Sequence, residues 1–221
     1  MHEALARLLK DFVAAEAQRL DVTYNWDIPD PWPTCGFERG FDSPAKANMR
    51  LKRALSTAWH DRPDDRARIE RWYVSNWGSI RANRDETLAA YAASSDEELL
   101  LRGVVGVATW SKILVICKPE HYVIYDARVG AALNARQIAR GCGPLLLFPQ
   151  VPSRNSVIQA YQMHETMMAP AASRVPKRRA YLTYLNLVTE IVKQLNLEIL
   201  DAIEMALFAN AEQLAGEALG C

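Results

Sequence analysis

The sequence lacks the features that would place it in a membrane or a secretory pathway. It contains no run of about 18 apolar residues, so no membrane-spanning helix is expected. Its first residues, MHEALARLLKDFVAAEAQRL, do not combine a basic start with a long apolar run, so no signal peptide is expected either. We therefore predict a cytoplasmic protein without a membrane partner.

Cysteine is scarce and scattered, which excludes most metal centres. The four cysteines are Cys35, Cys117, Cys142 and Cys221, and no two of them form a CxxC pair. Zinc sites and iron–sulfur clusters usually need closely spaced cysteines. The sequence therefore predicts reduced thiols, no metal and no cofactor.

The chain also lacks net charge, because 26 Lys and Arg residues balance 26 Asp and Glu residues. Binding to nucleic acid would have to come from a local basic face rather than from the field of the whole protein. The length of 221 residues and an apolar fraction of 50% are sufficient for one buried core. We predict a single domain over residues 1–221.

Helical signals run through most of the chain. Leu5, Leu9 and Val13 recur at helical spacing, and Ser43-Pro44 is a helix start with Ser as N-cap. Ser95 and Glu98 form a capping-box pattern. Because no convincing strand alternation is present, we predict an all-α fold. Two further helices are predicted to end at Gly78 and at about Ala93. Four more are predicted over about 107–117, 127–140, 177–196 and 198–217, and an ordered loop is predicted over 22–42.

The most informative segment is LLLRGVVGVATWSKILVICKPEHYVIYDARVGAAL. It predicts a helix, a tight turn containing Gly103 and Gly106, a second helix, a short loop, and Asp126 at the start of a third helix. Glycines in such a turn allow backbone amides to approach a phosphate closely. The pattern is typical of a hairpin that holds a DNA backbone without reading its sequence.

This segment resembles the core of the helix-hairpin-helix DNA glycosylase superfamily, with the hairpin at about residues 95–117. It is most similar to bacterial proteins with an 8-oxoguanine DNA glycosylase fold, some of them associated with defence systems. The stretches WYVSNWGSIRAN at 72–83 and DAIEMALF at 201–208 are also similar, so the resemblance covers roughly residues 70–210. It implies a helical domain that binds DNA and excises or recognises a flipped, modified purine.

The resemblance assigns catalysis to Asp126, the aspartate that follows the hairpin. A carboxylate near the sugar of a flipped nucleotide can stabilise the positive charge that grows as the base leaves. The alternative is structural, because an aspartate before ARVGAAL is also an ordinary helix N-cap. The two roles are compatible.

The chain departs from the superfamily at the lysine that attacks the sugar in bifunctional members. The expected position falls near Val107 or Ala108, and the nearest lysine is Lys112, one turn further along the helix. Burial would lower the pKa of Lys112, whereas Asp126 would raise it. The offset and these opposed effects predict a glycosylase without lyase activity, and a solvated or salt-bridged Lys112 is the alternative.

The remaining candidate residues are assigned by weaker signals. The hairpin has two residues between its glycines, whereas the superfamily commonly has one. The basic run before residue 180 either contacts phosphate or is a solvated face. Trp77 and Phe208 either contact the base or belong to the core. Glu204 either contacts the base or lies at a solvated edge. The base-binding candidates are Trp77, Ser111, Glu204 and Phe208. The DNA-backbone candidates are Gly103, Gly106, Lys177, Arg178 and Arg179.

Three functions remain open from the sequence. The first is an N-glycosylase that acts on duplex or single-stranded DNA carrying an 8-oxoguanine-type base. The second is a non-catalytic sensor or adaptor of nucleic acid or a nucleobase ligand, working with other proteins of a bacterial antiviral defence system. The third is a structural helical subunit.

Overall fold

The computed structural model describes residues 2–140, 145–197 and 200–220. Helices account for most of this chain, so the predicted all-α class is confirmed. None of the helices in these ranges has the length and apolar character needed to cross a bilayer. The helices are α1 (His2–Ala17), α2 (Leu20–Thr23), α3 (Pro44–Asp61), α4 (Arg66–Arg71), α5 (Asp85–Ala93), α6 (Asp96–Leu101), α7 (Val107–Cys117), α8 (Ala127–Arg140), α9 (Ser156–Met168), α10 (Ala180–Leu195), α11 (Asp201–Ala209) and α12 (Ala211–Leu219).

Two predicted helix starts have the expected caps. Ser43 Oγ accepts a hydrogen bond from the backbone N–H of Lys46, and Pro44 occupies the first turn of α3. At α6, Ser95 and Glu98 form the reciprocal pair of a capping box. Such side chains satisfy amides that the first helical turn leaves without a partner.

Several other boundaries differ from the predictions. Two short strands, β1 (Leu146–Leu147) and β2 (Ser173–Arg174), pair in parallel, although no strand was predicted. The predicted helix over 198–217 is interrupted at Asn210, and α9 was not predicted at all. Two-residue strands are too short to show alternation, and this explains why they were missed. The predicted stop at 141–144 and the predicted helix start at 198 lie outside the described residues.

The helix that ends at Gly78 changes its winding before it ends. A 3₁₀ turn (Pro63–Asp65) leads into α4, and a π-helical turn (Trp72–Trp77) follows it directly. A π turn inserts an extra residue into the helical ladder and is often found at functional sites. Here it brings Trp77 and Gly78 next to α7.

Helix α7 forms the centre of the fold. All of its residues from Thr109 to Ile116 are buried, as expected for a helix that is apolar on most sides. It packs against α3 and α5, while α8 packs against α9 and α12. The main apolar core includes residues from each of these helices except α2, whose Leu20 packs in a smaller cluster with Tyr24 and Met205. Cys35 and Cys117 are free thiols, and the other two cysteines are outside the described residues.

Candidate functional site

A cavity of about 680 Å³ opens beside the N-terminal half of α7. Its walls come from the loop before α3, the segment after the π turn, α7, the start of α8, the loop before α9, and α11. Five of the candidate residues predicted from the sequence line it. They are Trp77, Lys112, Asp126, Glu204 and Phe208.

Asp126 is the last residue before α8, as predicted. Its Oδ1 atom accepts hydrogen bonds from the backbone N–H groups of Arg128 and Val129, at 3.0 and 3.1 Å. Its Oδ2 atom lies 4.0 Å from Nζ of Lys112. One carboxylate oxygen therefore caps the helix while the other faces the lysine, so the helix cap leaves Oδ2 available in the cavity.

Lys112 reaches back along its own helix toward the position where the superfamily lysine was expected. Its Nζ donates to the carbonyl oxygen of Ala108 at 3.0 Å, because helical side chains lean toward the N-terminus. The side chain is 4% exposed, so Lys112 is not solvated, whereas the other half of the alternative, a lysine that forms an ion pair, agrees with the 4.0 Å distance to Asp126. Burial lowers the pKa of Lys112, and this effect outweighs the opposing charges of Asp126 and Glu204.

Aromatic rings form one wall of the cavity. Trp26, which the sequence did not indicate, meets Phe208 edge to face at a centroid distance of 5.2 Å. Trp77 stacks on Tyr73 at 4.4 Å and is 5% exposed. Its indole N–H donates to Asn48 Oδ1 at 2.6 Å. Trp77 is thus a core residue that also lines the cavity, whereas Trp26 and Phe208 are only partly buried.

A buried charge network lies behind this wall. Lys52 Nζ binds Asp201 at 2.9 Å and Glu204 at 3.1 Å, and Glu204 also accepts the N–H of Ile124 at 3.2 Å. Burial by itself would lower the pKa of Lys52, but the two carboxylates raise it by more. The pKa therefore lies above the ordinary lysine value, and the lysine is charged. The alternative of Glu204 as a solvated edge is wrong, because its side chain is 3% exposed.

Ser111 does not belong to the cavity lining. It is fully buried, and its hydroxyl accepts the backbone N–H of Tyr125 at 3.3 Å. The hydrogen bond ties α7 to the segment immediately before Asp126. The proposed base contact of Ser111 is therefore replaced by a role in positioning this segment.

The backbone candidates lie together, apart from the cavity lining. Gly103 and Gly106 have φ angles of 61° and 70°, a region in which residues with a side chain are strained. A Cβ on Gly103 would lie 2.6 Å from the Cα of Arg178. The exposed 3₁₀ turn Lys177–Arg179 thus packs directly on the hairpin, a contact that no spacing in the sequence indicates.

In comparisons with protein-family models, curated proteins and solved structures, no match to this chain was found. The function must therefore be inferred from the geometry of the cavity and of the surface around it.

Proposed function

We propose that this protein is a DNA N-glycosylase of the helix-hairpin-helix type, which receives a flipped, modified purine in the cavity. The observation that carries the proposal is the pair of Lys112 and Asp126, 4.0 Å apart, in an aromatic-lined cavity of about 680 Å³. Cavities of roughly 300–1,000 Å³ are typical of small-molecule sites. The volume of this cavity lies within that range, as a site for a purine nucleoside requires.

The aromatic wall supports binding of a base. The rings of Trp26 and Phe208 are partly buried at the cavity, so part of their surface remains open to a ligand. Stacking of a base on an aromatic side chain contributes about 1–3 kcal/mol. A base removed from its duplex loses stacking on its neighbours, and this wall would replace part of it.

Asp126 supplies the negative charge that base departure requires. As the bond between the sugar and the base breaks, positive charge grows on the sugar, and a fixed carboxylate stabilises it. Because Oδ1 is held by two backbone amides, Oδ2 keeps its direction toward Lys112 and the cavity. Because the carboxylate is already in place, no free energy is needed to reorient it during the reaction.

Lys112 is proposed as the nucleophile, in contrast to the expectation from the sequence. The backward lean of its side chain compensates for the offset of one turn, about 5.4 Å. Its lowered pKa raises the fraction of neutral amine, the form that can attack. The neutral amine would attack C1′ of the sugar and form a C–N bond as the glycosidic bond breaks, and the base leaves with that electron pair and takes the proton that the attacking nitrogen loses. The C1′–O4′ bond then breaks, O4′ takes a second proton from the nitrogen, and a Schiff base results.

The test uses duplex and single-stranded oligonucleotides that contain 8-oxoguanine. We expect release of the base, and borohydride should trap a covalent adduct in the native chain. Asp126→Asn should abolish both, while it leaves the fold intact because Asn still caps α8. Lys112→Gln should abolish trapping, and Lys118→Gln, an exposed lysine paired with Asp96, serves as the control.

Each result decides one part of the proposal. Base release without a trapped adduct would show that water is the nucleophile, and unchanged activity of Asp126→Asn would exclude this carboxylate. Tight binding of the oligonucleotide without any product would identify the chain as a non-catalytic sensor. The zero net charge and the wider glycine spacing of the hairpin are the observations that favour this second function.

A further inference from the structure

Three arginines that the resemblance did not assign line the same cavity: Arg81, Arg128 and Arg154. They come from the segment after the π turn, from α8 and from the loop before α9. Leaving out Lys112, which the proposed function uses as a neutral amine, the lining carries three arginines against two acidic side chains, Asp126 and Glu204. Glu204 is already paired with Lys52, so the cavity has a local excess of positive charge in a chain whose formal net charge is zero.

Most hydrogen-bond donors of these arginines are unused. A guanidinium carries five N–H donors in a planar fork. Arg81 is exposed and makes no hydrogen bond or ion pair with the described residues, and Arg154 donates only to the carbonyl oxygen of Ser79. Arg128 binds Glu212 through Nη1 at 2.7 Å. Each of the three therefore retains N–H groups for an anionic ligand.

The position of Arg128 connects this charge to the aromatic wall. Its guanidinium carbon lies 5.0 Å from the ring centroid of Phe208. The guanidinium therefore covers one face of Phe208, and a base that contacts the open part of this ring would lie beside Arg128. The planar guanidinium group matches the geometry of phosphate and of carboxylate, and it can bind either anion through two parallel hydrogen bonds.

We propose that Arg81, Arg128 and Arg154 form a phosphate-binding rim, so that the cavity takes a phosphate-bearing nucleotide rather than a free base or nucleoside. This inference rests on one part of the proposed function, namely that a nucleobase occupies the cavity, and it does not require that the base is excised. A DNA strand and a free mononucleotide both carry this phosphate, and the rim recognises the same group in either. The experiment separates these sources.

Binding is measured by calorimetry with three probes: 8-oxo-2′-deoxyguanosine, its 5′-monophosphate, and a short single-stranded oligonucleotide containing 8-oxoguanine. We expect the monophosphate or the oligonucleotide to bind at least about 10-fold more tightly than the nucleoside, because charge-assisted hydrogen bonds are the strong ones. The double variant Arg81→Gln, Arg154→Gln should reduce this preference by about 10-fold and leave nucleoside affinity unchanged. Arg53→Gln, an exposed arginine outside the cavity lining, is the control.

The outcomes distinguish the rim from the glycosylase activity. Preference for phosphate that the double variant loses supports the rim even if no base is ever excised. Three outcomes would overturn the phosphate-binding rim. They are equal affinity for the nucleoside and the monophosphate without tighter binding of the oligonucleotide, an unchanged preference for phosphate in the double variant, and no binding of any probe. Excision by a native chain whose phosphate preference survives in the double variant would leave the glycosylase proposal standing and exclude the rim.

Discussion

Gly78 lies against the side chain of Lys112. A Cβ atom on Gly78 would lie 2.7 Å from Cε and 2.9 Å from Cδ of Lys112, well inside normal contact. The backbone of Gly78 has a φ angle of −78°, which any residue can adopt. The absence of a side chain at this position is therefore a matter of space beside the lysine and the carbonyl oxygen of Val74, not of backbone conformation.

Gly78→Ala should destabilise the protein and move the Lys112 amine. Overpacking of a buried site costs about 1–3 kcal/mol, and part of this cost comes from contact with the lysine. In a Lys112→Ala background the same substitution should cost less, with a coupling of roughly 0.5–3 kcal/mol measured by urea denaturation. An identical cost in both backgrounds would place the entire effect at the carbonyl oxygen of Val74, which a Cβ on Gly78 would approach to 2.7 Å.

The two buried lysines should respond differently to replacement by methionine. Lys52 neutralises Asp201 and Glu204, so Lys52→Met should lower the free energy of unfolding by about 3–5 kcal/mol, as expected when one partner of a buried pair is removed. Lys112 makes one hydrogen bond and stands 4.0 Å from its carboxylate. Lys112→Met should leave the stability unchanged or raise it.

The pH dependence of this comparison follows from the lowered pKa of Lys112. The folded state binds this proton less tightly than the unfolded state, so a protonated Lys112 opposes folding at neutral pH. That cost disappears as the pH rises toward the ordinary lysine value of 10.5, where both states lose the proton. Any gain from Lys112→Met should therefore shrink with rising pH. A loss comparable to that of Lys52→Met would instead make Lys112 a structural residue.

Two glycine-to-alanine substitutions provide a matched test of the hairpin. Gly103→Ala meets both a φ of 61° and a backbone collision with the Lys177–Arg179 turn, so it should cost at least about 1–3 kcal/mol. Gly216 lies within α12, and a Cβ there meets nothing within 4 Å. Gly216→Ala should stabilise the protein by about 0.4–1 kcal/mol in thermal or urea unfolding. Equal effects at the two sites would contradict the close packing of the hairpin.

The basic turn should control the salt dependence of DNA binding. If Lys177, Arg178 and Arg179 contact phosphates, replacing each by Ala should reduce the slope of log affinity against log salt by about 1. The control replaces Arg53 and Arg68, two exposed arginines on other surfaces. A slope that changes equally in the control, or not at all in the triple variant, would return this turn to the status of a solvated face.

The sequence by itself determined the helical character and much of the local detail. Helical spacing of apolar residues, the Ser43 and Ser95 caps and the place of Asp126 before α8 depend on residues within a few positions of one another. Such short-range relationships can be read along a chain. The positions of Gly103 and Gly106 followed in the same way, because a tight turn needs residues that tolerate positive φ.

The tertiary structure alone decided what surrounds the cavity. Lys52 binds carboxylates that lie 149 and 152 positions later in the chain, Trp26 comes from a loop near the N-terminus, and the three arginines come from three separate segments. No pattern along the sequence links such partners, because side-chain contacts depend on distance in space. The direction of the pKa shift of Lys112 was decided in the same way: the sequence predicted opposed effects of burial and Asp126, and only the packing around α7 makes the effect of burial the larger one.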